Sequence, residues 1–496
     1  MSATSNFIER HGIYSEEQRA AASELLARID ELGLDAIRMT WPDQHGQLRG
    51  KSMSRDGFES ALKGGIEITM APYFFDTANG IVFNPFSPDG GFGIPELAGS
   101  PNVVMVPDIP TFRVLPWAEG TGWVMCDLYS RHGSPFPFSP RSILKRTLAD
   151  LKSEGYDLVT GLEIEWYLTR LLDDNVVNGS LGAPGIAADA PIVAPVARGY
   201  SYLLDDHLDE IDEQLRPIRR AVQALGLPLR STDDEWAPSQ VESTFDVLPG
   251  LEAADSVTLF RMAVKQVAKR NGHLASFMCT PAIAGFYASG WHLHTSLNDV
   301  TGANAFVPGE GQELSDVGMH YIGGTLAHAQ AASVFTTPTV NGYRRRRPYS
   351  LAPDRLTWGN DNRAALMRVI SNPGDPSSHV ENRVGEPSAN PYLYIASQVA
   401  AGLDGIRRKT APGAASIDPY AADVPQLPQS LGSAIDALES DSFFREAFGS
   451  SFIDYLVTMK RFEVGRYEEW VASNPDREAD VNGVTDWEHR EYFEKF

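Results

Sequence analysis

The sequence predicts an α+β fold in two unequal parts, residues 1–135 and 136–496. Three observations lead there. Short extended runs crowd the first part behind a single leading helix. A proline step at Pro135, Pro137 and Pro140 then separates the parts. Beyond it, strands and long helices are interspersed in a larger α+β unit.

The leading helix is expected at Glu16–Leu32. Ser15 caps it, Gln18 completes a capping box, and Leu25, Ile29 and Leu32 share a face. Ala36–Trp41 and Gln47–Ser52 read as strands joined by the turn Asp43–Gly46, and Val103–Val106 and Gly122–Leu128 as two more. The Gly-, Pro- and Phe-rich stretch from Asn79 to Gly99 reads as loop. In the second part, Ser139-Pro140 opens a helix that Gly155 stops. Helices follow at His207–Leu225, Ala253–Asn271, Val317–Ala332, Pro391–Arg407 and Phe443–Ser473. Strands are expected at Asp157–Leu168, Gln240–Phe245, Leu274–Met278, Gly290–Leu297, Ala364–Val369 and His379–Val384. Asn175–Ala197 reads as an irregular insertion.

Composition narrows the function classes. The chain has 496 residues, with 65 acidic against 42 basic, a net charge of −23. That balance argues against nucleic acid or an anionic membrane as partner. Its 43% hydrophobic residues can build a sizeable core. The two cysteines, Cys126 and Cys279, form neither a disulfide framework nor a thiolate zinc site. The N-terminus shows no apolar signal region, and no run of about 18 apolar residues occurs. The expectation is a cytoplasmic protein.

Four segments carry the chemistry. In Gly161–Leu168, strand alternation turns Leu162, Ile164, Trp166 and Leu168 one way and Glu163 and Glu165 the other. Two adjacent carboxylates repel unless water or a cation separates them. Glu235 and Glu242 bracket a Pro-containing turn. His292, His294 and Ser296 share one face of Gly290–Leu297, and Glu381 and Arg383 share a face opposite Val380. Solvated faces or a simple ion pair account for each segment alone. Together they set five carboxylates and a histidine on the polar sides of apolar-backed strands. Hard oxygen donors with one imidazole suit Mg²⁺ or Mn²⁺ and phosphoryl chemistry. The arginines of Asn341–Pro348, with Arg363 and Arg368, suit a phosphate and carboxylate clamp. Neither a Walker loop nor a dinucleotide fingerprint is present.

These residues resemble the glutamine synthetase family over nearly the whole chain. Asp43…Gly46…Arg49-Gly50-Lys51 resembles a segment of its N-terminal β-grasp domain. Glu163-Ile164-Glu165 matches its paired metal glutamates, and Glu235-Trp236-Ala237-Pro238-Ser239-Gln240-Val241-Glu242 resembles its Glu-Tyr-Gly-Pro-Gly-Gln-Phe-Glu motif. Ser289-Gly290-Trp291-His292-Leu293-His294 resembles Ser-Gly-Met-His-Val-His, and Asn390-Pro391-Tyr392 follows Glu381 and Arg383 as in the family. The resemblance implies a small β-grasp domain before a catalytic domain whose antiparallel sheet is flanked by helices. It implies one metal on Glu165, Glu235 and Glu242, and a second on Glu163, His292 and Glu381. It implies His294, Ser296 and Arg368 at ATP, Arg363 at the transferring phosphoryl group, and Arg345 and Arg383 at glutamate. Asp76 would take a proton from the amine, in the site of a neighbouring subunit of a ring-stacked homododecamer. The implied reaction phosphorylates the glutamate side chain, and an amine then displaces phosphate.

Two departures bear on the amine. Where the family's flap reads Gly-Tyr-Glu-Ala-Pro, this chain has Tyr349-Ser350-Leu351-Ala352-Pro353, so an acid becomes Leu351. Tyr287-Ala288 replaces Asn-Gly. Both changes favour an apolar or aromatic amine such as aniline over ammonium. Ammonia in a glutamine synthetase, a polyamine, or an inactive structural homologue are the alternatives. Tyr420 is no convincing match to the family's adenylylation site.

Overall fold

The computed structural model of the chain describes residues 6–475 and 483–496. Two sheets organise it. The first holds β1 (Ala36–Pro42), β2 (Leu48–Ser54), β3 (Ile66–Thr69), β4 (Asn102–Pro107), β5 (Arg113–Val114) and β6 (Thr121–Tyr129). Their order is β2-β1-β6-β4-β3, with β5 on β6. Only β1 and β6 run parallel. Helices α1 (Phe7–Arg10), α2 (Glu16–Glu31) and α3 (Arg55–Gly64) accompany this sheet.

The expected capping box at Ser15 and Gln18 is present. Leu25 and Ile29 are buried, but Leu32, just past the last turn, is exposed. Helix α3 and strand β3 were not expected from the sequence. Their apolar residues are few, and Phe58, Ala61 and Leu62 gain their meaning from the sheet they cover.

The second sheet holds β7 (Asp157–Asp173), β8 (Ile192–Pro195), β9 (Leu229–Asp234), β10 (Gln240–Pro249), β11 (His273–Ser276), β12 (Trp291–Asn298), β13 (Trp358–Asn360), β14 (Met367–Ile370) and β15 (His379–Gly385). The order is β13-β14-β15-β12-β7-β10-β9. All of its pairs are antiparallel except the edge pair β13–β14. Strand β7 is long enough to take β10 and β12 along its first half and β8 and β11 along its second. The insertion at 175–197 therefore ends in a strand.

Helices α4 (Pro140–Ser153), α5 (Asp205–Ala224), α6 (Gly250–Arg270), α7 (Asp316–Thr336) and α8 (Pro391–Arg408) carry the bulk of the core. After them come α9 (Leu431–Ser440), α10 (Phe443–Phe448), α11 (Ser450–Ser473) and α12 (Asp486–Tyr492). Helix α8 is buried nearly all round, between α4, α6 and α7. The single helix expected at Phe443–Ser473 is two, because Gly449 at φ 95° breaks it. The strand expected at Ala364–Val369 is only Met367–Ile370, and Arg368 lies within it. Among the described residues, no helix is long and apolar enough to cross a membrane.

Candidate active site

The alternation read from Gly161–Leu168 holds. Leu162, Ile164, Trp166 and Leu168 are at most 2% exposed, and Glu163 and Glu165 occupy the other face. Register does the rest. Glu242 lies opposite Glu165, His292 opposite Glu163, Glu381 opposite His294, and Arg368 opposite Glu381. Five strands thus line up one charged row across the sheet.

Two glycines make room for the row. Gly161 sits opposite His294, where a Cβ would meet the histidine's own Cβ at 3.1 Å. At Gly290 a Cβ would come within 2.5 Å of Arg345 Nη2 and 3.0 Å of His292 Nε2. That contact explains the glycine in Ser-Gly-Trp-His.

Glu163 is the hub. His292 Nδ1 is 2.7 Å from its Oε1 and His294 Nε2 is 3.2 Å from its Oε2. His292 Nδ1 also lies 3.6 Å from Glu381 Oε1. Ligand atoms of Glu163, Glu242 and His292 fall within 4.8 Å of one another, as do those of Glu163, His294 and Glu381. The residues expected in two separate sets therefore share Glu163, and His294, expected at ATP, stands with the carboxylates. Glu165 Oε2 accepts from Gly290 N at 2.8 Å and Gln240 Nε2 at 3.2 Å. Glu235 is held in the turn before β10, where Ser239 takes a left-handed φ of 65° and its hydroxyl accepts from Val196 N at 2.7 Å.

Electrostatics divides the carboxyls. Burial opposes ionisation of Glu163, but the imidazoles of His292 and His294 override it and hold the group well below the usual range. Glu381 is likewise low: His292 and Arg383 outweigh its burial. Burial, with Glu163 and Glu165 nearby, pushes Glu242 up to about 11. Burial and the charge on Glu165 push Glu235 up to about 8. Crowded carboxyls driven to bind protons are a donor set that a divalent cation fits, since its charge reverses both effects. The oxygen-rich ligands with imidazole suit Mg²⁺ or Mn²⁺.

The arginines split into two groups. Arg383 pairs with Glu381 at 2.5 Å and donates to the Arg363 carbonyl at 2.9 Å. Arg368 bridges Glu381 at 3.0 Å and Asp361 at 2.5 Å. Arg345 is buried beside Gly290 and His292, with Nη1 on the carbonyls of Val384 and Gly385. Arg363 is exposed. Arg344 and Arg346 do not join the clamp expected of the run. Arg344 pairs with Glu488 at 3.0 Å, and Arg346 donates to Thr337 and the Pro428 carbonyl inside the core.

From the row a cleft of about 950 Å³ opens over Glu163, His294, Ser296, Asn298, His379 and Arg230. Ser296, expected at ATP, lines this cleft together with His294. Two rings assigned no role from the sequence, Tyr200 and Trp236, gather with Tyr287 beside the acidic row. Ring centroids are 5.6 Å apart for Tyr200–Trp236 and 6.0 Å for Tyr200–Tyr287, and all three are about half exposed. Tyr202 feels the charges of Glu235, Glu242 and Arg363. Tyr200-Ser-Tyr202, and a Trp next to Glu235, were the available signals. Leu351 is 65% exposed, and it and Tyr349 adopt positive φ. Asp354, the acid that follows the Tyr349–Pro353 stretch, is buried.

Asp76 does not join this constellation. It is 1% exposed and lies 2.5 Å from Arg466 Nε. Its neighbours Thr77, Ala78 and Asn79 line a separate cleft of about 590 Å³, which shares no residue with the first.

Known proteins share the sequence and fold of this chain. Residues 137–477 match the family described as glutamine synthetase, catalytic domain. A γ-glutamylanilide synthase from Acinetobacter sp. is 52% identical over 99% of this chain and 99% of its own. A glutamine synthetase from Thermococcus kodakarensis is 36% identical over 86% of this chain and 92% of its own. A solved structure titled "Apo GmaS without ligand" superposes with a TM-score of 0.76 at 27% identity, covering 91% of this chain and 99% of that one.

Proposed function

Because the chain belongs to the glutamine synthetase family, we propose that it is an ATP-dependent ligase joining the γ-carboxyl of glutamate to an amine, with an apolar or aromatic amine such as aniline preferred. The observation that carries this reading is the charged row centred on Glu163, with a cluster of half-exposed aromatic rings beside it. The likeness to a γ-glutamylanilide synthase supports the amine class.

Glu165, Glu235 and Glu242 would hold one divalent ion, and Glu163, His292 and Glu381 a second. When bound, such ions bridge phosphate oxygens and neutralise charge during transfer. His294, Ser296 and Arg368 face the nucleotide. Arg345 and Arg383 hold the glutamate carboxylate, and exposed Arg363 meets the phosphoryl group as it moves. Tyr287 and Leu351 border the amine. An amine ring packed on them gains about 25 cal/mol per Å² of apolar surface removed from water. Residues 1–135 form the β-grasp-like unit and 136–496 the catalytic unit. The enzyme works in the cytoplasm, where buried Cys126 and Cys279 stay reduced, as a ring-stacked homododecamer.

The test is phosphate release from ATP with glutamate and Mg²⁺, comparing aniline, ammonium, isopropylamine and putrescine by kcat/KM. Aniline is expected to lead. Ammonium leading would make the chain a glutamine synthetase with an altered flap, and putrescine leading would point to polyamines.

A further inference from the structure

We propose that Gln240 is a positioning residue: it fixes Glu165 in place as a cation ligand and joins it to the Ala288–Ser289 wall of the site. This rests on the reading of the acidic row as a divalent-cation centre, and adds to that centre a residue that itself touches neither ion nor substrate.

The assignment starts from register. Gln240 opens β10 opposite Tyr167, and Glu242, two residues on, lies opposite Glu165. Gln240 and Glu165 are therefore diagonal neighbours on one face, a separation that a long side chain spans. Asparagine would fall one bond, about 1.5 Å, short. The chain itself settles which way the amide points. The Ala237 N–H can only donate, and it meets Gln240 Oε1 at 3.1 Å. Nε2 is then the donor end. It lies 3.2 Å from Glu165 Oε2, 2.9 Å from Ser289 Oγ and 3.4 Å from the Ala288 carbonyl. Both Gln240 and Ser289 are buried.

Glu165 is thereby held at one oxygen. Oε2 accepts from Gln240 and from Gly290 N at 2.8 Å, and the Glu165 N–H donates to the Gly290 carbonyl at 3.0 Å. Oε1 stands 3.9 Å from His292 Nε2. Donors on one oxygen set the plane of the carboxylate and leave the other oxygen for a cation, which is how groups behind a ligand tune metal affinity. The wall is stapled to the same strand. Tyr167 Oη pairs with Tyr287 N at 2.9 Å and Tyr287 O at 2.6 Å, and Ser289 N donates to the Cys279 carbonyl at 2.7 Å. One amide thus links the turn after Glu235, strand β7 and the loop before β12. The other expected ligand set has ties of its own. Glu163 is held by His292 and His294, and Glu381 by Arg368 and Arg383. Loss of the Gln240 amide therefore acts on the Glu165, Glu235 and Glu242 set and spares the Glu163, His292 and Glu381 set.

The experiment titrates the intact, metal-free enzyme with Mn²⁺ in the absence of substrates and follows free Mn²⁺ by electron paramagnetic resonance. Wild type is expected to take up two ions per chain. Gln240→Met keeps the length of the side chain and removes the amide. It should weaken one ion about 10- to 100-fold and leave the other within about twofold. Equal weakening of both ions, as a general disturbance of the sheet would produce, overturns the proposal, and so does unchanged binding of both. Should Gln240→Met fail to fold, Gln240→Asn, with the amide at shorter reach, carries the same expectation. Ser289→Ala cuts only the link to the wall and should weaken the same ion about fivefold. The double variant should fall short of the product of the two single effects, since both act through one contact; a full product overturns the link. Fewer than two ions on the wild type removes the cation centre and this inference with it. Phosphate release from ATP with glutamate and aniline, on the same wild-type preparation, reads the ligase chemistry separately. Its absence in protein that binds two ions removes the ligase reading and leaves this inference standing.

Discussion

Two carboxylate clusters in this molecule look alike in composition and differ in charge balance. In one, Arg141 is 1% exposed and meets Asp108, Asp127 and Asp255 at 2.6, 2.6 and 2.7 Å, with Lys145 beside them. Burial disfavours the charge on Asp127, yet Arg141 and Lys145 override it and keep the carboxyl low. In the other, Glu163, Glu165, Glu235 and Glu242 crowd together with no lysine or arginine of the described residues at their centre, and burial drives Glu235 and Glu242 up. The first cluster carries its own cations and joins β4 and β6 to α4 and α6. The second has no such cation among the described residues, and burial with mutual repulsion drives two of its carboxyls to bind protons. That is a cost a structural site avoids, and one that a metal-binding site retains until the ion arrives.

The comparison predicts opposite outcomes for removing one member of each cluster. Arg141→Met removes the buried cation from three partly buried aspartates and should cost on the order of 3 kcal/mol of stability, read as a large drop in Tm or loss of soluble protein. An unchanged Tm would erase the distinction. Glu165→Ala removes one of several repelling charges. It should leave Tm close to wild type while lowering ATP turnover on the order of 10³-fold. Full activity in that variant with Mg²⁺ supplied would remove Glu165 from the metal site. Arg363→Ala, at the edge of the acidic row, should reduce kcat about 10²-fold with a smaller change in nucleotide KM. The reverse pattern would make Arg363 a ground-state ligand.

The smallest effect is on stability against pH, and the two clusters have opposite signs. Glu235 and Glu242 have folded pKa values raised above their unfolded ones. Their stabilising contribution is complete below about 4.5 and is lost as pH rises toward about 8 and about 11. Asp127 is lowered, so its contribution is present above about 3.8 and lost as pH falls through that range. Metal-free protein should therefore lose Tm between pH 5 and 8, and Mg²⁺ should remove that slope and add about 2.7 kcal/mol at a hundredfold excess over Kd. A metal-free Tm that is flat across this range would show that the acidic row is already compensated.

Much of the fold and of the site is legible in the sequence by itself. Period-two alternation is a local property, so the polar side of Gly161–Leu168 and of Gly290–Leu297 can be read from the chain alone. The capping box at Ser15 and the helix start at Ser139-Pro140 are equally local. Tertiary structure alone decided which charges meet. Register across β10, β7, β12, β15 and β14 made Glu163 the shared hub, and strands far apart in the chain set that register. It separated Arg345 from Arg344 and Arg346, which are chemically identical neighbours with different surroundings. It gathered Tyr200, Trp236 and Tyr287 from three separate segments. It also set Asp76 beside Arg466, at the other end of the chain. Alternation reports which way a side chain faces. Only the packed chain determines what it faces, because the partners come from elements that no local rule connects.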